Sequence, residues 1–216
     1  MRASDSRDSG QAFPIYIMVV TGLLFAALAF VVVGMAGATR SKAQGAADAS
    51  ALAAAREGRD NAFRGVDFLA LTQADWERIL NGDRLNANGA CAKAVSFATK
   101  NDADATCDAD LPEFRVSVST KDTVGKSVIP GSEDLKGHAK ATAVIEPRCT
   151  LNPSSTPNPT PNPTPNPTSS PGGGGTAPPQ SIDFRCKGGV AVTLNPSKPG
   201  SLVDLARKLF SVRLAD

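Results

Sequence analysis

The chain has 216 residues, a formal net charge of +2 and 41% hydrophobic residues, enough apolar material for one small core besides a membrane segment. Its 23 Lys and Arg are spread along the chain against 21 Asp and Glu, which leaves no nucleic-acid footprint. With one histidine and no G-x-S-x-G, H-E-x-x-H or G-x-x-x-x-G-K-[ST] pattern, the usual nucleophile, metalloprotease and phosphate-loop chemistries are excluded, so no enzyme activity, cofactor, metal or small-molecule substrate is expected.

From Gln11 to Thr39 no side chain is charged, and a bilayer core needs only about 20 apolar residues in helix. Residues 11–39 are therefore expected to be one transmembrane helix in lipid, after a polar cytoplasmic leader over residues 1–10. The run is longer than the roughly 7 to 15 apolar residues of a signal peptide, so a retained anchor is favoured over cleavage at the small-x-small pattern Ala36-Gly37-Ala38. Arg2 and Arg7 on one side face Arg40, Lys42 and Arg56 on the other, so nearby positive charge does not choose the orientation. The cysteines choose it: Cys91, Cys107, Cys149 and Cys186 all follow the span, an even number suited to an oxidising compartment. This puts the N-terminus in the cytoplasm and the rest outside, periplasmic or extracellular. Their long spacings, with no C-x-x-C pair, argue against a zinc site.

After the span, Lys42 to Arg56 is built mainly from alanine and other good helix formers, and Gly58 is the first plausible stop. Span and stalk read as one helix, the stalk covering residues 40–58. Leu52 is the stalk's only large apolar side chain, so whatever packs on it must approach the backbone closely against alanine. Gly34 with Ala38, and Gly37 with Ser41, give the small-xxx-small spacing that lets helices associate in lipid.

These residues carry a resemblance. The run Ser9-Gly10-Gln11, the apolar span, and then Gln44-Gly45-Ala46-Ala47-Asp48-Ala49-Ser50-Ala51-Leu52-Ala53 resembles the N-terminal segment of Tad (tight adherence) Flp-pilus assembly proteins of the TadE/TadG type. The resemblance covers about a quarter of the chain. It implies a bacterial inner-membrane-anchored protein or minor pilin-like subunit that works with other Tad/Flp pilus proteins through the transmembrane helix and stalk. Met1 to Gly10 fits a leader whose peptidase junction would be Gly10 and Gln11, and Tyr16 stands where Flp pilins carry a tyrosine. Ile15 occupies the place of their acidic residue, which argues against the major pilin role.

Residues 59–149 read as an α+β exported region. Thr72-Gln73-Ala74-Asp75 has capping-box spacing and opens a short helix through Trp76, Ile79 and Leu80 that Asn81-Gly82 ends. Asn88 is expected to cap a second helix, Ala90 to Lys100, with Cys91, Ala94, Val95 and Ala98 on its core face. Asp102, Asp104, Asp108 and Asp110 around Cys107 lack the order of a calcium loop and read as a solvated loop. Phe114, Val116 and Val118 alternate with polar residues, as do Ala139, Ala141, Ala143 and Ile145, the period of half-covered strands. His138 falls on the polar side as a solvated surface group.

Residues 150–180 form a Pro/Thr/Gly-rich segment expected to be disordered. Its TPNP repeat, Thr156 to Thr168, favours polyproline II and could reach about 40 Å before four glycines. Each Asn there precedes Pro, which excludes N-glycosylation; the composition suits an O-glycosylated stalk or a bare spacer. Over residues 181–216, Ile182 to Cys186 and Val190 to Leu194 read as two strands joined at Gly188-Gly189. Ser201 to Asp204 opens an amphipathic helix with Leu202, Leu205, Leu209 and Val212 in one stripe, packing on the same domain.

Four cysteines allow three pairings, and the sequence alone does not choose. The pairing favoured here is Cys91 with Cys107, stapling helix to sheet, and Cys149 with Cys186, closing the Pro-rich segment as the loop of a hairpin. Some TadE-like proteins resemble the first of these, with a helix cysteine bonded to one before the first long strand. The expected fold is α+β: a single N-terminal transmembrane helix continuing into an alanine-rich stalk, then a small disulfide-bonded exported domain of helices and an antiparallel sheet with a long Pro-rich loop. The expected role is a structural component of a Tad/Flp-type pilus assembly or secretion system. The alternatives are a membrane-anchored surface binding or adhesion protein displayed on the Pro-rich spacer, and a freely secreted protein.

Overall fold

Helix α1 runs unbroken from Ala12 to Asp60, 49 residues, or about 74 Å at 1.5 Å per residue. The structure, a computed structural model, describes residues 12–123, 134–152 and 181–215. Gly10, Gln11 and the TPNP repeat lie outside the described residues. Span and stalk are thus one helix, and Gly58 does not end it. Gly58 is there for packing: a Cβ on it would lie 2.7 Å from Phe114 Cζ, so only glycine lets the ring rest on the backbone.

The rest of the chain winds around the far half of α1. After α2 (Gln73–Leu80) and α3 (Ala90–Lys100) come the strands β1 (Ala103–Asp110), β2 (Glu113–Thr123) and β3 (Lys136–Pro147). Short strands β4 (Cys149–Leu151), β5 (Ile182–Cys186) and β6 (Ala191–Leu194) follow, then α4 (Leu202–Leu209) and β7 (Phe210–Leu214). Two antiparallel sheets result, one of order β1-β2-β3-β7 and one of order β4-β5-β6, where the sequence pattern suggested a single sheet. Helices α1 and α3 cover one face of the larger sheet; His138, Lys140 and Arg115 stand exposed on the other.

Four local expectations are corrected by this packing. The acidic segment is strand β1, not a loop: Ala103, Ala105, Cys107 and Ala109 turn toward the helices, while Asp104, Asp108 and Asp110 point to solvent. Its period of two was visible, but alanine and aspartate are poor strand formers in isolation, and pairing with β2 overrides that preference. On α3 the N-cap is Gly89 with a left-handed backbone and no side-chain cap; the Asn88 carbonyl instead accepts from buried Asn61 Nδ2 at 3.0 Å. The buried face of α3 is Ala90, Ala94 and Ala98, leaving Val95 42% exposed, because only alanine fits the close contact with α1. Finally, Val212 is not on α4: the helix stops at Leu209, and the chain returns as β7 beside β3.

At α2 and α4 the caps are those the sequence implies. Thr72 and Asp75 form a reciprocal capping box at α2. The Asp75 carboxyl is held down at about 2, first by its side-chain hydrogen bond with Thr72, then by the Thr72 backbone amide and by Arg78. Ser201 Oγ accepts from the Asp204 amide at the start of α4.

The larger side chains gather at the end of the domain remote from the span. Phe63, Phe68, Trp76, Phe184 and Phe210 form a cluster with ring centroids 5.2 to 6.3 Å apart, each pair adding about 0.5–1.5 kcal/mol beyond its burial. The cluster joins α2, β5 and β7, so it locks the small sheet to the main body. Cys91 is bonded to Cys107, tying α3 to β1, and Cys149 to Cys186, which face each other across β4 and β5.

Three outcomes follow from this packing. A side chain at Gly137 would put its Cβ 2.7 Å from the Thr39 carbonyl oxygen, so Gly137→Val should lower stability by about 1–3 kcal/mol. Gly45→Ala, with nothing within 4 Å of its Cβ, should raise stability by about 0.5–1 kcal/mol; denaturant unfolding of the detergent-solubilised chain reads both signs. Protease cleavage between residues 153 and 180 should release no C-terminal fragment on reduction alone, because β7 and α4 still hold residues 181–215 to the main body. Separation should need denaturant as well as reductant; release in reductant under native conditions would show that the β7 ladder does not hold.

Candidate assembly surface on the N-terminal helix

The surface most distinct from the rest of the molecule is the near half of α1. Phe13, Tyr16, Met18, Phe25, Phe30 and Val33 are 67–79% exposed, an arrangement water does not tolerate over such a length. This is the one described helix long and apolar enough to cross a membrane. Further along the same helix the exposure pattern reverses. Ala43, Ala46, Ala47, Ala51, Ala54 and Ala55 are at most 1% exposed, buried against the protein's own sheet and α3.

The stalk's alanines are therefore occupied by this chain's own domain. Helical geometry leaves the opposite side of α1 free. At 100° per residue, Gly34, Ala38, Ser41 and Gly45 fall on one line, roughly across the axis from Ala43, Ala47, Ser50 and Ala54. All four are exposed, as is Gly37 beside them, and a Cβ on Gly34, Gly37 or Gly45 would meet nothing within 4 Å. The stripe crosses from the apolar half into the domain-bearing half without a break. Gly45 was missing from the sequence reading of it, although its spacing from Ser41 was the available signal.

At the top of α1, Asp60 sits at a helix C-terminus, where negative charge is unfavourable. Arg59 offsets this at 2.8 Å and Arg207 of α4 at 3.1 Å. The Arg207 guanidinium is held above its ordinary value by the Asp60 hydrogen bond and charge. On the larger sheet Arg213 binds Glu146 at 2.7 Å and holds its carboxyl below the usual range. These pairs fix α4 and β7 to the body and leave the free side of α1 untouched. Among the described residues no group of three or more His, Cys, Asp or Glu side chains is placed to hold a metal ion.

No curated protein and no solved structure matches this chain significantly. A protein-family model described as "Putative Flp pilus-assembly TadE/G-like" matches residues 10–57. The matched stretch takes in the exposed apolar half of α1, the small-residue stripe and the buried alanines, and stops three residues before the helix does. Over residues 10–57, then, the chain is similar to the TadE/G-like Flp pilus-assembly family, in the same segment whose residues carry the resemblance.

Proposed function

We propose that this protein is a structural, non-catalytic component of a bacterial Tad/Flp-type pilus assembly or secretion system. It is held in the cytoplasmic membrane by a single pass of α1, with its N-terminus cytoplasmic and its disulfide-bonded domain outside. The observation that carries this reading is one continuous helix, exposed and apolar up to Met35, buried by its own domain from Ala43, and matched over residues 10–57 by the pilus-assembly family model. In mechanism, α1 is the rod that transmits position between membrane and domain. Its free small-residue stripe is the surface on which other pilus components pack, since small residues let helix backbones approach in lipid.

A second reading is favoured by one observation. The chain between β4 and β5 carries the TPNP repeat, and both strands lie at the end of the domain remote from the span. That placement suits a display spacer on an anchored adhesion protein. Neighbouring genes for a secretion ATPase, paired membrane platform proteins and a small pilin would favour the pilus role over display.

Two experiments test the first reading. The full chain should stay in the membrane pellet through carbonate washing; soluble protein beginning near Thr39 would overturn anchoring. Replacing Gly34 and Gly37 by leucine should leave insertion intact, yet weaken co-purification of Tad partner proteins by about tenfold and reduce pilus output. Unchanged association would remove the stripe from the mechanism.

A further inference from the structure

The end of the domain that faces the span carries cations that the assembly reading does not use. At the start of β3, Gly137 packs on the Thr39 carbonyl and on Ala43, so this rim stands at the level where the uncharged run ends. Its backbone is clamped there: the Gly137 amide donates to buried Thr120 Oγ1 at 2.9 Å, and that hydroxyl donates to the Asp122 carbonyl at 2.7 Å. Helix α3 descends beside α1 from Asn88 near Asn61 and ends at Lys100. A cleft lined by Thr39, Lys42, Lys100, Asn101, Thr120 and Asp122 separates the middle of α1 and the end of α3 from β2.

Arg40, Lys42, Lys100, Lys121 and Lys136 are all exposed on this rim. None of these five has an ion-pair partner among the described residues; the Lys100 ammonium lies 5.3 Å from the centroid of the Phe97 ring. Asp102, Asp104, Asp122 and Asp134 are exposed nearby, so among the described residues five cations face four carboxylates and the rim keeps an excess of positive charge. Leu135, between Asp134 and Lys136, is 57% exposed.

The height of the rim is set by α1. Lys42 stands seven residues, about 10 Å, beyond Met35, the last large apolar side chain of the run. The polar layer on each side of a bilayer is about 5–7 Å thick, and lysine and arginine stems reach several ångströms toward it. We propose that this rim is a binding surface for anionic phospholipid headgroups, contacted by Arg40, Lys42, Lys100, Lys121 and Lys136. The inference rests on the anchored reading, because only an inserted α1 brings the rim to the headgroups. Since α1, β2, β3 and α3 all contribute to it, headgroup contact would hold the whole domain at a fixed tilt over the membrane rather than leave it swinging on a single helix.

The test uses the full chain in lipid nanodiscs of phosphatidylcholine alone or with phosphatidylglycerol, labelled with a neutral amine-acylating reagent and read lysine by lysine by mass spectrometry. Lys42, Lys100, Lys121 and Lys136 should label about fivefold more slowly in the anionic discs. Lys187 and Lys198, at the far end, should label equally in both, and rising salt should shrink the difference. Equal labelling of the rim in both discs overturns the inference and leaves anchoring standing. Failure of the chain to enter discs overturns anchoring itself. The same protection in detergent with inorganic phosphate would assign the rim to a free anion and overturn the lipid assignment.

Discussion

Everything in this structure depends on the contact between the alanine side of α1 and the larger sheet. Alanine contributes little apolar area, so the contact is favourable only if backbones come close enough for dispersion to act along the whole length. Two glycines make that approach possible. Gly137 lets β3 rest on the Thr39 carbonyl, and Gly58 lets the Phe114 ring rest on the helix backbone. Between them α1 and β3 run side by side in the same direction, with Gln44 reaching the Lys140 carbonyl at 3.5 Å partway along. Helix α3 uses the same device, presenting Ala90, Ala94 and Ala98 to the core.

A helix that is the spine of a domain cannot also pivot beneath it. Because α1 crosses from exposed apolar surface into the buried core without a break, any tilt or rotation of the span is passed directly to the sheet. Such stiffness fixes the direction of the domain relative to the apolar half of α1. It also divides the helix cleanly: one side is used up by the protein's own fold, and the other keeps a line of small residues.

The far end is built on different physics. There the aromatic cluster supplies the large apolar surface that the alanine interface lacks, and it is made from residues distant in sequence, Phe63, Trp76, Phe184 and Phe210. The Cys149–Cys186 bond and the β4–β5 pairing close the base of the Pro-rich segment, while β7 returns the chain to the main sheet. The segment is therefore an insertion within one body, and residues after it are held by hydrogen bonds, two ion pairs and aromatic packing as well as by the disulfide.

The sequence by itself determined the local features whose cause is local. The uncharged run sets by its length a helix long and apolar enough to cross a bilayer, alanine content sets the continuation of the helix, and Thr72-x-x-Asp75 and Ser201-x-x-Asp204 set two helix starts through their own side chains. Alternation around Phe114 to Val118 sets a strand. The tertiary structure alone decided which side of α1 faces the domain, because a stretch of alanine has no amphipathic signal and only the sheet that covers it breaks the symmetry. It decided that the aspartate-rich run is a strand, since its pairing energy comes from β2, and that Val212 lies in β7, since the strand edge it joins is 65 or more residues earlier in the chain. Gly58 and Gly137 look like breakers in sequence and are contact points in space, because what glycine omits matters only once another backbone or ring arrives beside it.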